Sequence, residues 1–126
     1  MINILLATSS EIVKKGFISL LINENDMKIL HVAATDLDMF DMVLRDNFDV
    51  VIMDVDLIGR GPIETLDDLR AISPGIPVIV LSSVSDDTYL WNIFKAGATG
   101  YLKKDAEPQE FRDTIRRVSD MRPSSQ

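Results

Sequence analysis

Four side chains capable of chemistry stand where apolar segments of the chain end. Asp54 follows the run FDVVIM, Ser82 falls within VIVLSS, and Tyr101 and Lys104 belong to GYLKK. Taken singly, each has an ordinary interpretation: a turn residue, a helix-start hydroxyl, a core aromatic or a surface lysine. Together they offer a carboxylate, two hydroxyls and an ammonium group. We interpret them as one set, provided that the fold brings these ends to one edge.

Five short apolar runs predict the strands that would position this set. They cover residues 2–7, 28–34, 49–53, 77–81 and, more weakly, 100–102. Nearly unbroken apolar runs of this length are typical of parallel strands buried on both faces. Segments of helical period follow them, and Pro62 and Pro108 suit the first turns of the third and fifth helices. The chain therefore alternates strand and helix five times.

This alternation predicts a flavodoxin-like (βα)5 fold of the α/β class, with a doubly wound, five-stranded parallel sheet in the order 2-1-3-4-5. In such sheets the site lies beyond the carboxyl ends of the strands, where the winding reverses between the first and third strands. Asp54 is predicted to lie there, with Thr8 and Ser9 at the end of the first strand. We predict one domain over residues 1–121, with 122–126 a tail or truncated linker.

The amino-acid composition indicates the class of protein and the partners that it excludes. Hydrophobic residues make up 46% and charged residues 26% of the 126 residues, as is typical of a folded domain in water. No apolar run approaches the roughly 18 residues of a membrane span, and the first residues lack a signal-peptide pattern, so we expect a cytoplasmic protein without a membrane partner. The net charge of -7 disfavours direct nucleic-acid binding by this domain, and the absence of cysteine excludes thiolate chemistry.

The segments FDVVIMDVDLIG, PVIVLSS and KAGATGYLKKDA resemble the response-regulator receiver domains of two-component signalling, those of the NarL type in particular. The resemblance covers nearly the whole chain. It implies that Asp54 matches the phosphoacceptor, that Ser82 and Tyr101 match the switch residues, and that Lys104 matches the lysine that binds the phosphoryl oxygens. On this interpretation the domain is a signalling module, and we expect no enzymatic activity.

Two positions at the end of the first strand depart from the family pattern. The family has two metal-holding acidic residues there, and this chain has Thr8 and Ser9. Mg²⁺ normally neutralises the charge that develops when an anionic donor meets an aspartate. Asp56 matches a position where the family uses the backbone carbonyl to hold the metal. Asp54 is therefore the one acidic side chain certain to point into the metal site. We therefore predict weak or absent magnesium binding, no other cofactor, and a resting Asp54–Lys104 pair that is neutral without metal.

The hydroxyls also have a structural interpretation. The segment TSSE, residues 8–11, has the form of a helix capping box, with Thr8 first and Glu11 three residues later. We favour capping over a chemical role, because hydroxyls before a helix usually cap it. A minor alternative is an anion site in which Thr8, Ser9, Ser82 and Lys104 donate to a phosphate or acidic ligand.

Three functions stay open at this point. The preferred one is an atypical receiver domain of a transcriptional response regulator, in which phosphorylation of Asp54 is lost or impaired and the signal passes through dimerisation, a partner or a ligand. The alternative is an ordinary phosphorylatable receiver in which Asp56 helps to hold the metal. A remote alternative is a flavodoxin-like binder of a phosphate-bearing cofactor, which is disfavoured because ATSSEIV lacks the glycines of a phosphate loop.

Two helix faces are candidates for partner binding. The first and fifth helices together form one face, where Arg112 and Arg116 accompany Ile18, which lies outside the apolar arc of the first helix. The fourth helix forms the other, where Trp91 lies opposite the apolar arc. We predict a homodimer through one of these faces. The resemblance also implies a histidine kinase as partner and, in the parent protein, an attached DNA-binding domain. A small ligand is the other candidate input.

Overall fold

The computed structural model describes residues 1–84 and 86–123, and its strands and helices alternate as predicted. The strands are β1 (Ile2–Ala7), β2 (Met27–Ala33), β3 (Val50–Asp54), β4 (Val78–Ser82) and β5 (Gly100–Lys103). The helices are α1 (Glu11–Leu21), α2 (Asp36–Arg45), α3 (Pro62–Ile72), α4 (Asp87–Lys95) and α5 (Pro108–Ser119). Of the predicted tail, residues 124–126 lie outside the described part.

The five strands form one parallel sheet in the order β2-β1-β3-β4-β5, which confirms the predicted topology. The connections after β1 and β3 leave the sheet in opposite directions, so a crevice opens at the carboxyl ends of these two neighbouring strands. Strands β3 and β4 are buried along their whole length, so Asp54 and Ser82 end fully buried strands.

Helices cover both faces of the sheet, and each face has its own core. On one side Met39, Leu66 and Ile93 from α2, α3 and α4 belong to one buried cluster, whereas Phe17 and Ile115 from α1 and α5 belong to the other. Because side chains alternate along a strand, β3 contributes to both clusters. The apolar runs seen in the sequence therefore reflect strands that are covered twice.

The start of α1 corrects one prediction from the sequence. Ser10, not Thr8, is the N-cap: its backbone is extended and its Oγ accepts a hydrogen bond from the backbone N–H of Val13 at 3.2 Å. The proposed capping box is wrong because Thr8, which directly follows β1, is buried and its side chain has another partner.

The helices in the described ranges are all too short or too polar to cross a membrane.

Candidate functional site

Asp54 is the last residue of β3, and both of its carboxylate oxygens are already in use. Oδ2 accepts a hydrogen bond from Thr8 Oγ1 at 2.8 Å, and Oδ1 accepts one from the backbone N–H of Asp56 at 3.0 Å. Lys104 Nζ lies 2.9 Å from Oδ1. With only 1% of its surface exposed, the Asp54 carboxylate depends on these three donors, since a buried charge without partners is strongly unfavourable.

Lys104 joins two carboxylates. Besides Asp54, its Nζ contacts Asp56 Oδ2 at 2.8 Å, and its backbone N–H donates to the carbonyl of Ser82 at 2.9 Å, which fixes the segment after β5. Burial alone lowers the pKa of Lys104, but the hydrogen bonds to Asp56 and Asp54 outweigh burial, so this pKa lies above its ordinary value. The ammonium group therefore stays charged.

The hydroxyl of Thr8 lies between Asp54 and the start of α1. It donates to Asp54 and accepts a hydrogen bond from the backbone N–H of Ser10 at 3.1 Å. Where the family pattern has a carboxylate that repels the phosphoacceptor, this chain has a donor that binds it. We call the site formed by Asp54, Asp56 and Lys104 the acidic pocket. Thr8 therefore belongs to the acidic pocket rather than to a capping box.

Ser9 points away from Asp54 and joins two loops instead. Its Oγ donates to the carbonyl of Ala34 at 2.6 Å and accepts from the backbone N–H of Ile58 at 3.0 Å. Thr35 forms an isolated parallel bridge with the same Ile58. Ser9 thus connects the loop after β2 to the segment 55–61, which we call the β3–α3 loop.

Asp36 completes this connection. It is buried at the start of α2, and its carboxylate accepts from the backbone N–H groups of Leu37 at 2.7 Å and Arg60 at 3.4 Å. Gly59 lies so close that a Cβ there would come within 2.3 Å of Asp36 Cγ. The β3–α3 loop is therefore packed against α2, and sequence reasoning missed Asp36 because a helix-start acid is usually solvated.

Within the described ranges, the hydroxyl groups of Ser82 and Tyr101 form no hydrogen bond with the side chains of Asp54 and Lys104. Ser82 is buried, and its Oγ accepts from the backbone N–H of Val84 at 3.1 Å. The hydroxyl of Tyr101 is also buried, and it has no hydrogen-bond partner among residues 1–84 and 86–123. The predicted set of four therefore divides into a bonded pair, Asp54 and Lys104, and two neighbouring hydroxyls whose switch role stays a prediction.

The donors around Asp54 do not fit a magnesium site. Mg²⁺ requires oxygen ligands in octahedral geometry. At this position a hydroxyl, an amide and an ammonium group all donate to the Asp54 carboxylate, and the Asp56 side chain, 77% exposed, is engaged by Lys104. Within the described ranges, no group of three or more His, Cys, Asp or Glu side chains could hold a metal ion.

The two arginines predicted for an interface are paired within the chain. Arg116 contacts Glu24 at 2.7 Å and Asp26 at 2.8 Å, and Arg112 lies 3.4 Å from Glu24. The hydrogen bond from Arg116 holds the pKa of Asp26 below its ordinary value. These ion pairs tie α5 to the loop between α1 and β2.

Ile18 and Trp91 remain the apolar candidates for an interface. Ile18 is exposed on α1, and Trp91 on α4 has 69% of its surface exposed, near the partly exposed Phe94. The pattern predicted this exposure correctly for both residues. A role in assembly stays a prediction.

Comparison with known proteins identifies the family. The profile described as "Response regulator receiver domain" matches residues 4–116. The chain belongs to this family. The receiver domain is 32% identical over 118 residues to the transcriptional regulatory protein DesR of Bacillus subtilis, covering 94% of this chain and 58% of that protein. It is 30% identical over 118 residues to the response regulator UvrY of Escherichia coli, covering 94% of this chain and 54% of UvrY.

Solved structures agree with the fold of this receiver domain. A LuxR-family two-component response regulator from Aurantimonas sp. superimposes with a TM-score of 0.87 at 24% identity, over 98% of this chain and 88% of that one. The response regulator domain of Thermotoga maritima CheB gives 0.87 at 20% identity, over 98% and 99%. Such low identities establish the fold alone. The receiver domain spans little more than half the length of the curated relatives that it matches.

Proposed function

We propose that this receiver domain serves a transcriptional response regulator in which magnesium-dependent phosphorylation of Asp54 is lost or strongly impaired. Its output is set instead by dimerisation or by binding of a partner or ligand. The observation that carries the proposal is the occupation of both Asp54 oxygens by Thr8, the Asp56 amide and Lys104.

The chemistry of phosphoryl transfer explains why this occupation matters. An Asp54 oxygen must attack phosphorus in line with the leaving group, and a metal ion normally bridges the anionic partners. Here the nucleophilic oxygens are held by three donors, and the residues that follow β1, Thr8 and Ser9, supply no carboxylate to recruit the metal. Asp54 and Asp56 together also exceed the charge of Lys104 by one, so an approaching phosphate meets an excess of negative charge.

The relatives support the wider context of the proposal. DesR is named a transcriptional regulatory protein and UvrY a response regulator, and the match covers 58% of DesR and 54% of UvrY. We propose that the parent protein regulates transcription, that contact with DNA is made outside this domain, and that homodimerisation or a kinase links the input to it.

The test of impaired phosphorylation is a direct assay of the acceptor. The chain is incubated with acetyl phosphate and Mg²⁺, and the intact mass is measured over time, with Asp54→Asn as the blank. We expect little phosphorylation of the natural sequence and faster phosphorylation of a Thr8→Asp/Ser9→Asp variant, since the returned carboxylates give Mg²⁺ a site. Rapid stoichiometric phosphorylation of the natural sequence at Asp54 would contradict the proposal.

The exposure of the Asp56 side chain, 77% of its surface, leaves one alternative, an ordinary receiver in which this carboxylate helps to bind Mg²⁺. A magnesium titration followed by the fluorescence of Trp91 separates the two functions. A saturable change that Asp56→Asn abolishes would support the alternative, whereas no saturable change supports impaired phosphorylation.

A further inference from the structure

A groove of about 430 Å³ opens between α1 and α5, beside the acidic pocket. We call it the α1–α5 groove. The aromatic rings of Phe17 and Phe111 belong to its lining and meet edge to face, with centroids 5.3 Å apart, and Leu81 of β4 lies at its inner side. Its volume falls in the range of roughly 300 to 1,000 Å³ that small-molecule sites occupy.

The outer part of the groove is apolar and open. Ile12 belongs to the lining, and 85% of its surface is exposed. Gly16, one turn further along α1, leaves a gap in which an added Cβ would meet nothing within 4 Å. Glycine within a helix is less stable than alanine by about 1 kcal/mol, so helix stability does not account for the gap.

Lys104 supplies the one charged group of the lining described by the structure. An ammonium group has three N–H donors. The described residues offer Nζ two partners, Asp54 at 2.9 Å and Asp56 at 2.8 Å. Because Lys104 also lines the groove, its remaining N–H can serve an acceptor bound there. Because the two carboxylates already outnumber the single positive charge, an anionic ligand would increase the negative excess, whereas a neutral oxygen acceptor would not.

We propose that the α1–α5 groove binds a small neutral molecule with an aromatic or aliphatic body and one carbonyl oxygen, which accepts the third N–H of Lys104. The body packs against Phe17, Phe111 and Ile12. Since the same ammonium group holds Asp54 and Asp56, binding of a ligand in the groove is coupled to the contacts of Lys104 in the acidic pocket. This inference goes beyond the proposed function, and groove binding holds whether or not Asp54 accepts a phosphoryl group.

The test uses three fluorescent or competing probes of similar size on the whole chain. Prodan is a neutral naphthyl ketone, N-phenylnaphthylamine is neutral without a carbonyl, and naphthoate is an anion. We expect saturable binding of Prodan with a blue-shifted emission, and little displacement of Prodan by naphthoate. Lys104→Met removes the N–H donor and keeps a side chain of similar length. It should weaken the affinity for Prodan by about tenfold and leave the affinity for N-phenylnaphthylamine nearly unchanged.

Gly16→Leu provides the second variant, because it fills the groove from α1 and leaves Lys104 itself unchanged. We expect a loss of at least about tenfold in Prodan affinity, whereas Ser19→Leu, on an exposed part of the same helix, should leave it unchanged. Circular dichroism verifies that each variant is folded. Non-saturable binding, equal affinity in Gly16→Leu, or preferential binding of naphthoate would overturn the proposal. So would sedimentation that shows a second copy of the chain excluding the probe from the groove.

Discussion

Lys104 is the residue on which the buried carboxylate of Asp54 depends most directly. Lys104→Met leaves Asp54 with the Thr8 hydroxyl and one amide as donors, so the free energy of unfolding should fall by about 1 to 3 kcal/mol; the partial exposure of Lys104 keeps the loss below that of a fully buried pair. Urea denaturation measures the loss. Lys103→Met is the matched control, since the exposed Lys103 lies 4.0 Å from Asp105 and should contribute less than about 0.5 kcal/mol. Equal effects of the two changes would contradict the assigned role.

The raised pKa of Lys104 gives this contribution a defined pH dependence. A group whose pKa is higher in the folded than in the unfolded state stabilises the fold at low and neutral pH. That stability is lost as the pH rises from the ordinary value of 10.5 through the folded pKa. The difference in stability between the natural sequence and Lys104→Met should therefore be constant near neutrality and narrow at strongly alkaline pH, as denaturation at several pH values would show. A difference that widens there would have the wrong sign.

At the same scale, the sequence predicted the contact between Asp54 and Lys104 but not the separate uses of Thr8 and Ser9. Strand order alone brings the ends of β3 and β5 to the same edge, so the contact followed from topology. Adjacent side chains at a strand end point in different directions. Only the packed loops determine that Thr8 meets Asp54 while Ser9 meets Ala34 and Ile58.

At the scale of elements, the β3–α3 loop is held by contacts that require a glycine. At Gly59, φ is +156° and a Cβ would collide with the carboxylate of the buried Asp36, so Gly59→Ala should displace the loop and destabilise the chain by about 1 to 3 kcal/mol. Gly16→Ala is the matched control, and it should stabilise by about 0.5 to 1 kcal/mol because the site is open and helical. Thermal denaturation measures both changes. A Gly59→Ala variant as stable as the natural sequence would show that the loop is not held in this way.

The elements themselves were predictable because hydrophobic periodicity determines which segments cross the sheet. The ends of these elements were less predictable than their positions. The second strand was expected over 28–34 and is Met27–Ala33, and α1 is capped by Ser10 rather than Thr8. A cap depends on the backbone angles of a single residue, and three hydroxyls in a row give no basis in the sequence for choosing between them.

At the scale of the whole molecule, long-range ion pairs decide which surface groups are free to meet a partner. Arg116 and Asp26 are 90 residues apart, and their contact places the positive charge of α5 against the α1–β2 loop. Arg112 and Arg116 were predicted to belong to an interface because the first and fifth helices together place basic residues around Ile18. Pairing within the chain weakens that assignment and leaves the exposed apolar side chains as the stronger candidates.

Those side chains lead to the prediction that the chain self-associates through a helix face carrying Trp91 or Ile18. Burying an exposed aromatic or aliphatic side chain at the centre of an interface removes apolar surface from water, and such residues commonly dominate the binding energy. Sedimentation velocity over a range of concentrations should show association of the natural sequence, and either Trp91→Ser or Ile18→Ser should weaken it by about tenfold or more. Leu44→Ser, which changes an exposed leucine on α2 away from both faces, should have no effect. A chain that stays monomeric at high concentration, or an association that neither Trp91→Ser nor Ile18→Ser affects, would exclude both faces as the interface.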